Sequence, residues 1–461
     1  MAAISITSPT ANAVIGKDGS NLGNIPIAGV YTFASACHVE ARFGSGSFTR
    51  VATLSSGTAQ NWSGTLSSQT AGARKTLTVR FEEDTATSAT VDLTIGWVIL
   101  YVGDSKVQDY YTNTDTYIAT SIGVSVKPSN STNDADWTEG NSASHKSPGL
   151  RIADLIAQLT NIGVGLIVEA HAGTELAAGS DWDWTDSPLS NATYVYNITR
   201  YIANSKIIRI HAVYADFETN AIEGIQPTQL TYKNDCTTFA QGFVDQVTGA
   251  PPVFFSNVGE AGTDLTAYDQ VRQGAYDSIL IGPMKAGANV LDHEYHTTGG
   301  ENDYTHPRTN AHRKEFGDRH YLASKYLYDA STALRGPRIT SISRSGATLT
   351  LLWDQTLGNS VSTSLTAGAF AVTDNGSPAT VTAASVVTST TTSITLASAP
   401  SGTVLVYFGK NLTPCGGTLP MSASRSLSDS TTVQTPAEPF NAVAVTTVLG
   451  GIPASRMQLC M

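Results

Sequence analysis

The segment GWVILYVG, Gly96 to Gly103, is an uninterrupted apolar run that leads into Gly103-Asp104-Ser105, and it limits the fold more than any other stretch of the chain. A strand that is apolar on both sides must be covered on both faces, which in practice means a parallel sheet with helices above and below it. Comparable runs recur as VGLIVEA, KIIRIHAVY and PPVFFSNV. Between them lie SPGLRIADLIAQLTNI, SNATYVYNITRYIAN and LTYKNDCTTFAQGFVDQVTG, whose apolar residues return three and four positions apart, the period of a helix with one buried face. Strand and helix in alternation predict a doubly wound α/β domain over 95–336, closed by a helix HRKEFGDRHYLASKYLYDASTAL that ends at Gly336-Pro337. Ligands of such a sheet bind at the carboxyl ends of its strands.

The flanking segments follow a different pattern. Short alternating stretches, HVEARF, FTRVATL, KTLTVRF and ATVDLTI, separated by Gly, Ser, Asn and Asp turns, predict a β-sandwich over 1–94. ITSISR, TLTLLWD, AFAVTD, TSITLAS and TVLVYFG, with the turn Asp374-Asn375-Gly376, predict a second sandwich over 337–436. Both would be of immunoglobulin or fibronectin III type, and 437–461 is a tail to which no fold is assigned.

With 41% hydrophobic and 14% charged residues the chain of 461 is a folded one. Its net charge of -11 argues against nucleic acid or anionic lipid as a partner, because both require clustered Lys and Arg. Cys37, Cys236, Cys415 and Cys460 lie far apart without a CxxC pair, which suggests neither a zinc site nor a dense disulfide framework. No leader-like apolar segment opens the sequence and no run of about 18 apolar residues follows, so no membrane partner is expected. A secreted protein, a cytoplasmic one and a phage-particle component all remain open.

Gly103-Asp104-Ser105 follows the buried strand directly, so that Ser105 would be lifted out at a carboxyl end with its hydroxyl and N–H exposed. The same tripeptide is also a common turn or helix cap. Asp303-Tyr304-Thr305-His306-Pro307 brings a carboxylate and an imidazole into one loop, the pair that a serine nucleophile needs as general base and orienting acid. His293, His296, His312 and His320 crowd the same region, and His293 with His296 could instead hold a metal, although no helical HExxH spacing is present. Gly173 in HAGTEL and Asn220 in FETNA each follow a strand and could donate hydrogen bonds to an oxyanion, or be plain turn residues. Asp181-Trp182-Asp183-Trp184 is a candidate sugar platform, with calcium binding or simple burial under a loop as alternatives.

Taken in order, Gly103-Asp104-Ser105, Ala172-Gly173-Thr174, Glu218-Thr219-Asn220-Ala221 and Asp303-Tyr304-Thr305-His306-Pro307 resemble the conserved blocks of SGNH hydrolases, specifically the carbohydrate acetylesterases similar to sialate O-acetylesterases and acetyl xylan esterases. Val271-Arg272-Gln273 and the Gly317-Asp318-Arg319 turn into the last helix add to the resemblance, which covers roughly Trp97 to Leu334. It implies a cofactor-free Ser105, Asp303, His306 triad, with an oxyanion hole from Ser105, Gly173 and Asn220. Trp182, Trp184 and Glu218 are the implied substrate contacts, and an acetylated carbohydrate is the implied partner. The chain departs from the pattern at Lys106, Ala172 and Asp216-Phe217, which bears on the pocket wall more than on the reaction. A carbohydrate-binding or structural component, such as a phage tail protein with an esterase-like domain, is the other reading.

Overall fold

The computed structural model describes residues 1–104, 107, 123–127, 137–140, 148–204, 209–217, 227–256, 265–288, 310–329, 337–357, 364–365, 370–408 and 440–447. The first strands are β1 (Ala3–Ser8), β2 (Val14–Gly16), β3 (Leu22–Phe33), β4 (Cys37–Phe43), β5 (Thr49–Leu54), β6 (Gly57–Thr70), β7 (Lys75–Phe81) and β8 (Ser88–Gly103). β1, β3 and β6 form one sheet, while β5, β4, β7 and β8 pair in sequence in a second. Ile25, Ile27 and Trp62 of the first sheet and Val39, Leu77, Val79 and Leu93 of the second share one core. Alternation of apolar residues along β4 and β7 is what allows each strand one buried and one wetter face.

β8 does more than close this sandwich. Its first half pairs antiparallel with β7, and its second half enters a parallel sheet with β9 (Val124–Lys127), β11 (Val164–Ala170), β12 (Ala212–Asp216), β13 (Val253–Phe255) and β14 (Met284–Ala286). β10 (Thr138–Glu139) adds an antiparallel edge to β9. The boundary expected between residues 94 and 95 therefore falls inside a continuous strand. The run stays extended because Ile95 still belongs to the sandwich core, while Val98 and Ile99 already belong to the parallel sheet.

The parallel sheet runs β9-β11-β8-β12-β13-β14. Helices α1 (Pro148–Thr160), α2 (Thr193–Asn204), α3 (Gln229–Gln246), α4 (Leu265–Ile281) and α5 (Asn310–Ser324) pack on it. On one face Ile99 and Tyr101 of β8 share a core with Leu150 and Ile156 of α1 and Tyr321 of α5. On the other, Val98, Leu100 and Val102 meet Ile198 of α2, Phe239 of α3 and Ala275 of α4. The odd and even residues of one apolar run thus serve two different helix layers, and the chain is a mixed α/β protein.

α5 stops at Ser324 and passes into a short 3-10 turn, Lys325–Leu327, well before the expected end at Gly336. Gly317, Asp318 and Arg319 lie inside α5 rather than at a turn into it, and Asp318 ion-pairs with Arg151 of α1. Among the described residues, the strand read as KIIRIHAVY runs over Ala212–Asp216.

The C-terminal strands are β15 (Ile339–Ser345), β16 (Thr348–Trp353), β17 (Ser364–Leu365), β18 (Phe370–Asp374), β19 (Ser377–Ala379), β20 (Val381–Thr388), β21 (Thr391–Leu396), β22 (Val404–Phe408), β23 (Phe440–Ala444) and β24 (Thr446–Thr447). They form sheets ordered β17-β20-β21-β16-β15-β24 and β19-β18-β22-β23 around a core that includes Leu349, Leu351, Trp353, Phe370 and Val406. The hairpin between β18 and β19 turns at Asn375 and Gly376, with φ of 50° and 81°, the type I′ arrangement. The described part of the supposed tail is structured after all: β23 pairs with β22 and β24 with β15, so their backbone groups complete the two sheets.

Candidate active site

After β8 the chain builds β9 and β11 on one side of it and then crosses to place β12 on the other. Strand order therefore reverses at β8, the place where sheets of this kind leave a crevice at their carboxyl ends. Gly103, the last residue of β8, stands in register with Ala170 of β11 and Asp216 of β12. The segments that follow these three strands begin side by side. A Cβ on Gly103 would lie 2.1 Å from the Asp216 carbonyl oxygen, so only glycine lets β8 and β12 run this close together. The Asp104 N–H donates to the Asp216 carbonyl at 3.3 Å, and the His171 N–H donates to the Gly103 carbonyl at 3.0 Å. Asp104 itself is buried.

Of the sequence-derived site residues, Ser105, Glu218, Asn220, Asp303 and His306 lie outside the described residues, as do Lys106, His293 and His296. Gly173 is described. It is exposed and has φ of 69°, in a turn over 171–174 that the Thr174 hydroxyl closes by donating to the His171 carbonyl at 2.8 Å. This is the left-handed backbone that glycine tolerates.

Trp182 and Trp184 do not form a sugar platform. They are 1% and 6% exposed, because their indoles fill the core beneath the 171–186 loop. Trp182 packs edge-on against Phe217 and Phe239 and donates from Nε1 to the Thr174 hydroxyl at 3.0 Å, so it supports the Gly173 turn from below. Trp184 packs against Phe243 of α3. The neighbouring carboxylates are also committed: Asp181 accepts from the Thr193 N–H at the start of α2, and Asp183 from the Gly179 N–H and from the N–H and hydroxyl of Thr185 within the loop. Partial burial works against the Asp183 charge, but these donors outweigh it and hold the carboxyl below its ordinary range.

Two carboxylate–imidazole pairs flank the crevice, and neither was singled out in the sequence. Glu169, fully buried near the end of β11, accepts from His171 Nε2 at 2.7 Å and from the Asn197 side chain of α2 at 3.2 Å. The His171 ring is stacked on Tyr194, with centroids 3.6 Å apart and 13° between planes. Asp216 meets His320 of α5, Nε2 to Oδ1 at 3.1 Å, with both side chains shut off from solvent. His320 Nδ1 accepts from the Ala288 N–H at 3.2 Å, and the ring is enclosed edge-on by Tyr101, Tyr214 and Phe316. The signal available in the sequence was an acidic residue inside an apolar strand, Glu169 in VGLIVEA and Asp216 in AVYAD. A buried carboxylate must be matched by donors from elsewhere in the fold.

Among the described residues, His38, Glu82 and Glu83 bring three atoms of metal-ligand type within 4.8 Å of one another. They bond instead to one another and to Arg50 on the sandwich surface.

No protein-family model matches the sequence, and no curated protein matches it. Among solved structures the chain is similar to a carbohydrate acetylesterase from Xanthomonas citri at 15% identity and a TM-score of 0.64, over 94% of this chain and 97% of that one. Fainter likenesses are to a β-glucuronidase from Ruminococcus gnavus (9% identity, TM-score 0.28, covering 68% and 69% of the two chains) and a glycosyl hydrolase family 2 member from Bacteroides cellulosilyticus (8%, 0.26, 90% and 62%). Those two scores carry no argument. The first likeness is one of fold, and it extends over nearly the whole of both chains.

Proposed function

We propose that the chain is a serine esterase that removes O-acetyl groups from a carbohydrate, with a doubly wound SGNH-type domain set between two sandwiches. The observation that carries the reading is the reversal of strand order at β8, which sets the carboxyl ends of β8, β11 and β12 side by side where the segments after them start. Those are the segments in which the sequence holds Ser105, Gly173 and Asn220. The fold shared with a carbohydrate acetylesterase agrees with it.

In this reading His306, oriented by Asp303, takes the Ser105 proton as the hydroxyl attacks an acetyl carbonyl. The oxyanion is held by the N–H groups of Ser105 and Gly173 and by the Asn220 amide. The sugar hydroxyl leaves with the proton from His306, and water then repeats the cycle on the acetyl-serine to release acetate. Glu218 stands as a substrate contact, the scheme requires no cofactor, and the site of action is extracellular, on a secreted or particle-borne chain. Acetate release from acetylated xylan, O-acetylated sialic acids and bacterial polysaccharides tests it. Asp303→Asn should lower kcat by about 10⁴-fold through loss of the correct imidazole tautomer. Wild-type rates in that variant would contradict the assignment.

A further inference from the structure

The esterase reading leaves unexplained why a fully buried carboxylate, Glu169, is spent on one partly exposed imidazole at the crevice. Glu169, itself bonded by the Asn197 side chain, holds His171 from behind, Tyr194 covers one ring face, and the His171 N–H is tied to the Gly103 carbonyl. The ring therefore has one fixed orientation. Its side chain keeps 14% exposure, two residues before Gly173 in the same turn.

We propose that His171 recognises the alcohol side of the ester, its Nδ1 hydrogen-bonding a free hydroxyl of the carbohydrate whose acetyl group lies at Gly173. The inference rests on the esterase reading. With Nε2 against the carboxylate, the proton on that nitrogen is fixed, and Nδ1 makes no hydrogen bond among the described residues. A sugar hydroxyl both donates and accepts, so it satisfies Nδ1 in either protonation state of the ring. Two residues of chain place His171 and Gly173 at most about 7 Å apart. That separation suits one group on the acyl oxygen and another on a neighbouring ring substituent. Glu169 is then a positioning residue, acting through His171. This contact takes the role that the buried Trp182 and Trp184 do not fill.

The test compares kcat/KM for p-nitrophenyl acetate, whose leaving group has no sugar hydroxyls, with that for whichever mono-O-acetylated glycan of the xylan, sialic acid and polysaccharide panel the wild type cleaves fastest. His171→Phe keeps the stack on Tyr194 and removes both nitrogens. It should lower the glycan-to-p-nitrophenyl acetate ratio about tenfold, the weight of one hydrogen bond, chiefly through KM. His171→Gln should recover part of that ratio. Glu169→Gln should shift it in the same direction by less, and this variant carries the test if His171→Phe does not fold. Equal losses on both substrates, or none on either, would overturn the proposal and leave the pair a purely structural one. So would a wild type that cleaves p-nitrophenyl acetate but no acetylated glycan. A wild type inactive on both would overturn the esterase reading itself, and this inference with it.

Discussion

Replacing His320 with leucine takes the imidazole away from a carboxylate that has no contact with solvent. Both side chains are 0% exposed, and the ring bonds Asp216 at 3.1 Å through Nε2 and the Ala288 N–H at 3.2 Å through Nδ1. Breaking a buried pair from one side costs about 3–5 kcal/mol, and loss of the acceptor for Ala288 adds about 1 kcal/mol. Because one ring makes both contacts the two costs overlap, and about 4 kcal/mol is the expected sum. In an α/β unit of this size each kcal/mol moves the transition by roughly 2–4 °C, so the α/β transition should fall by about 8–16 °C. Asp216→Asn keeps an acceptor for the Nε2 proton and should cost less, about 1–2 kcal/mol. Calorimetry at neutral pH on wild type, both single variants and the double variant closes the cycle, with a coupling of at least about 1.5 kcal/mol expected for groups in contact. A His320→Leu chain that melts within about 2 °C of wild type, or a cycle without coupling, would refute the reasoning.

Three further outcomes follow from the described residues. Burial first, and then the charges of Asp183 and Glu175, push the Asp235 carboxyl from 3.8 up to about 6. Its protonated form is the one the fold favours, so its contribution is present below 3.8 and lost as pH rises through about 6. Asp235→Asn should therefore raise the melting temperature at pH 7 but not near pH 4, by roughly 1 kcal/mol after allowance for its half exposure; equal effects at both pH values would contradict this. His211 accepts from the Val98 N–H at 2.9 Å and donates to the Lys17 carbonyl at 3.0 Å, and burial, aided by the Lys17 and Arg209 charges, lowers it from 6.5 to about 3. The neutral ring stabilises the fold above 6.5 and that contribution fades as pH falls towards 3; a melting series should show a loss of up to roughly 5 kcal/mol in this window, flattened in His211→Gln. Trp182→Ala should cost about 3–5 kcal/mol as a core truncation without a specific rise in KM for a glycan ester, and a KM rise without thermal loss would restore the platform reading.

How much could be read from the sequence follows from what each segment buries. GWVILYVG, VGLIVEA and KTLTVRF declared themselves because continuous or alternating apolarity leaves few other placements. β3 and β6 did not, since GTAQNWSGTLSSQT is held mainly by its ladder to β3 and buries little beyond Trp62 and Leu66. The boundary expected at 94 lies inside one strand: the pattern of β8 changes there from alternating to continuously buried, yet the backbone stays extended as the strand passes from one sheet to the next. Trp182 and Trp184 misled because acidic neighbours read as solvent-facing, whereas Asp181 accepts from the start of α2 and Asp183 from its own loop. At the crevice, motif order pointed to Ser105, Gly173, Asn220, Asp303 and His306, of which Gly173 lies among the described residues. His320 draws its partner Asp216 from 104 residues away, which no local spacing announces, whereas His171 and Glu169 stand two residues apart and only the fold shows that they bond.

The most direct measurement is p-nitrophenyl acetate hydrolysis by the purified chain beside Ser105→Ala. Turnover in the wild type with a loss of about 10⁴-fold or more in the variant, and an acetyl adduct on Ser105 in the wild type alone by mass spectrometry, is the predicted result. Equal rates in the two chains, or no turnover and no adduct in either, would contradict a serine esterase centred on Ser105.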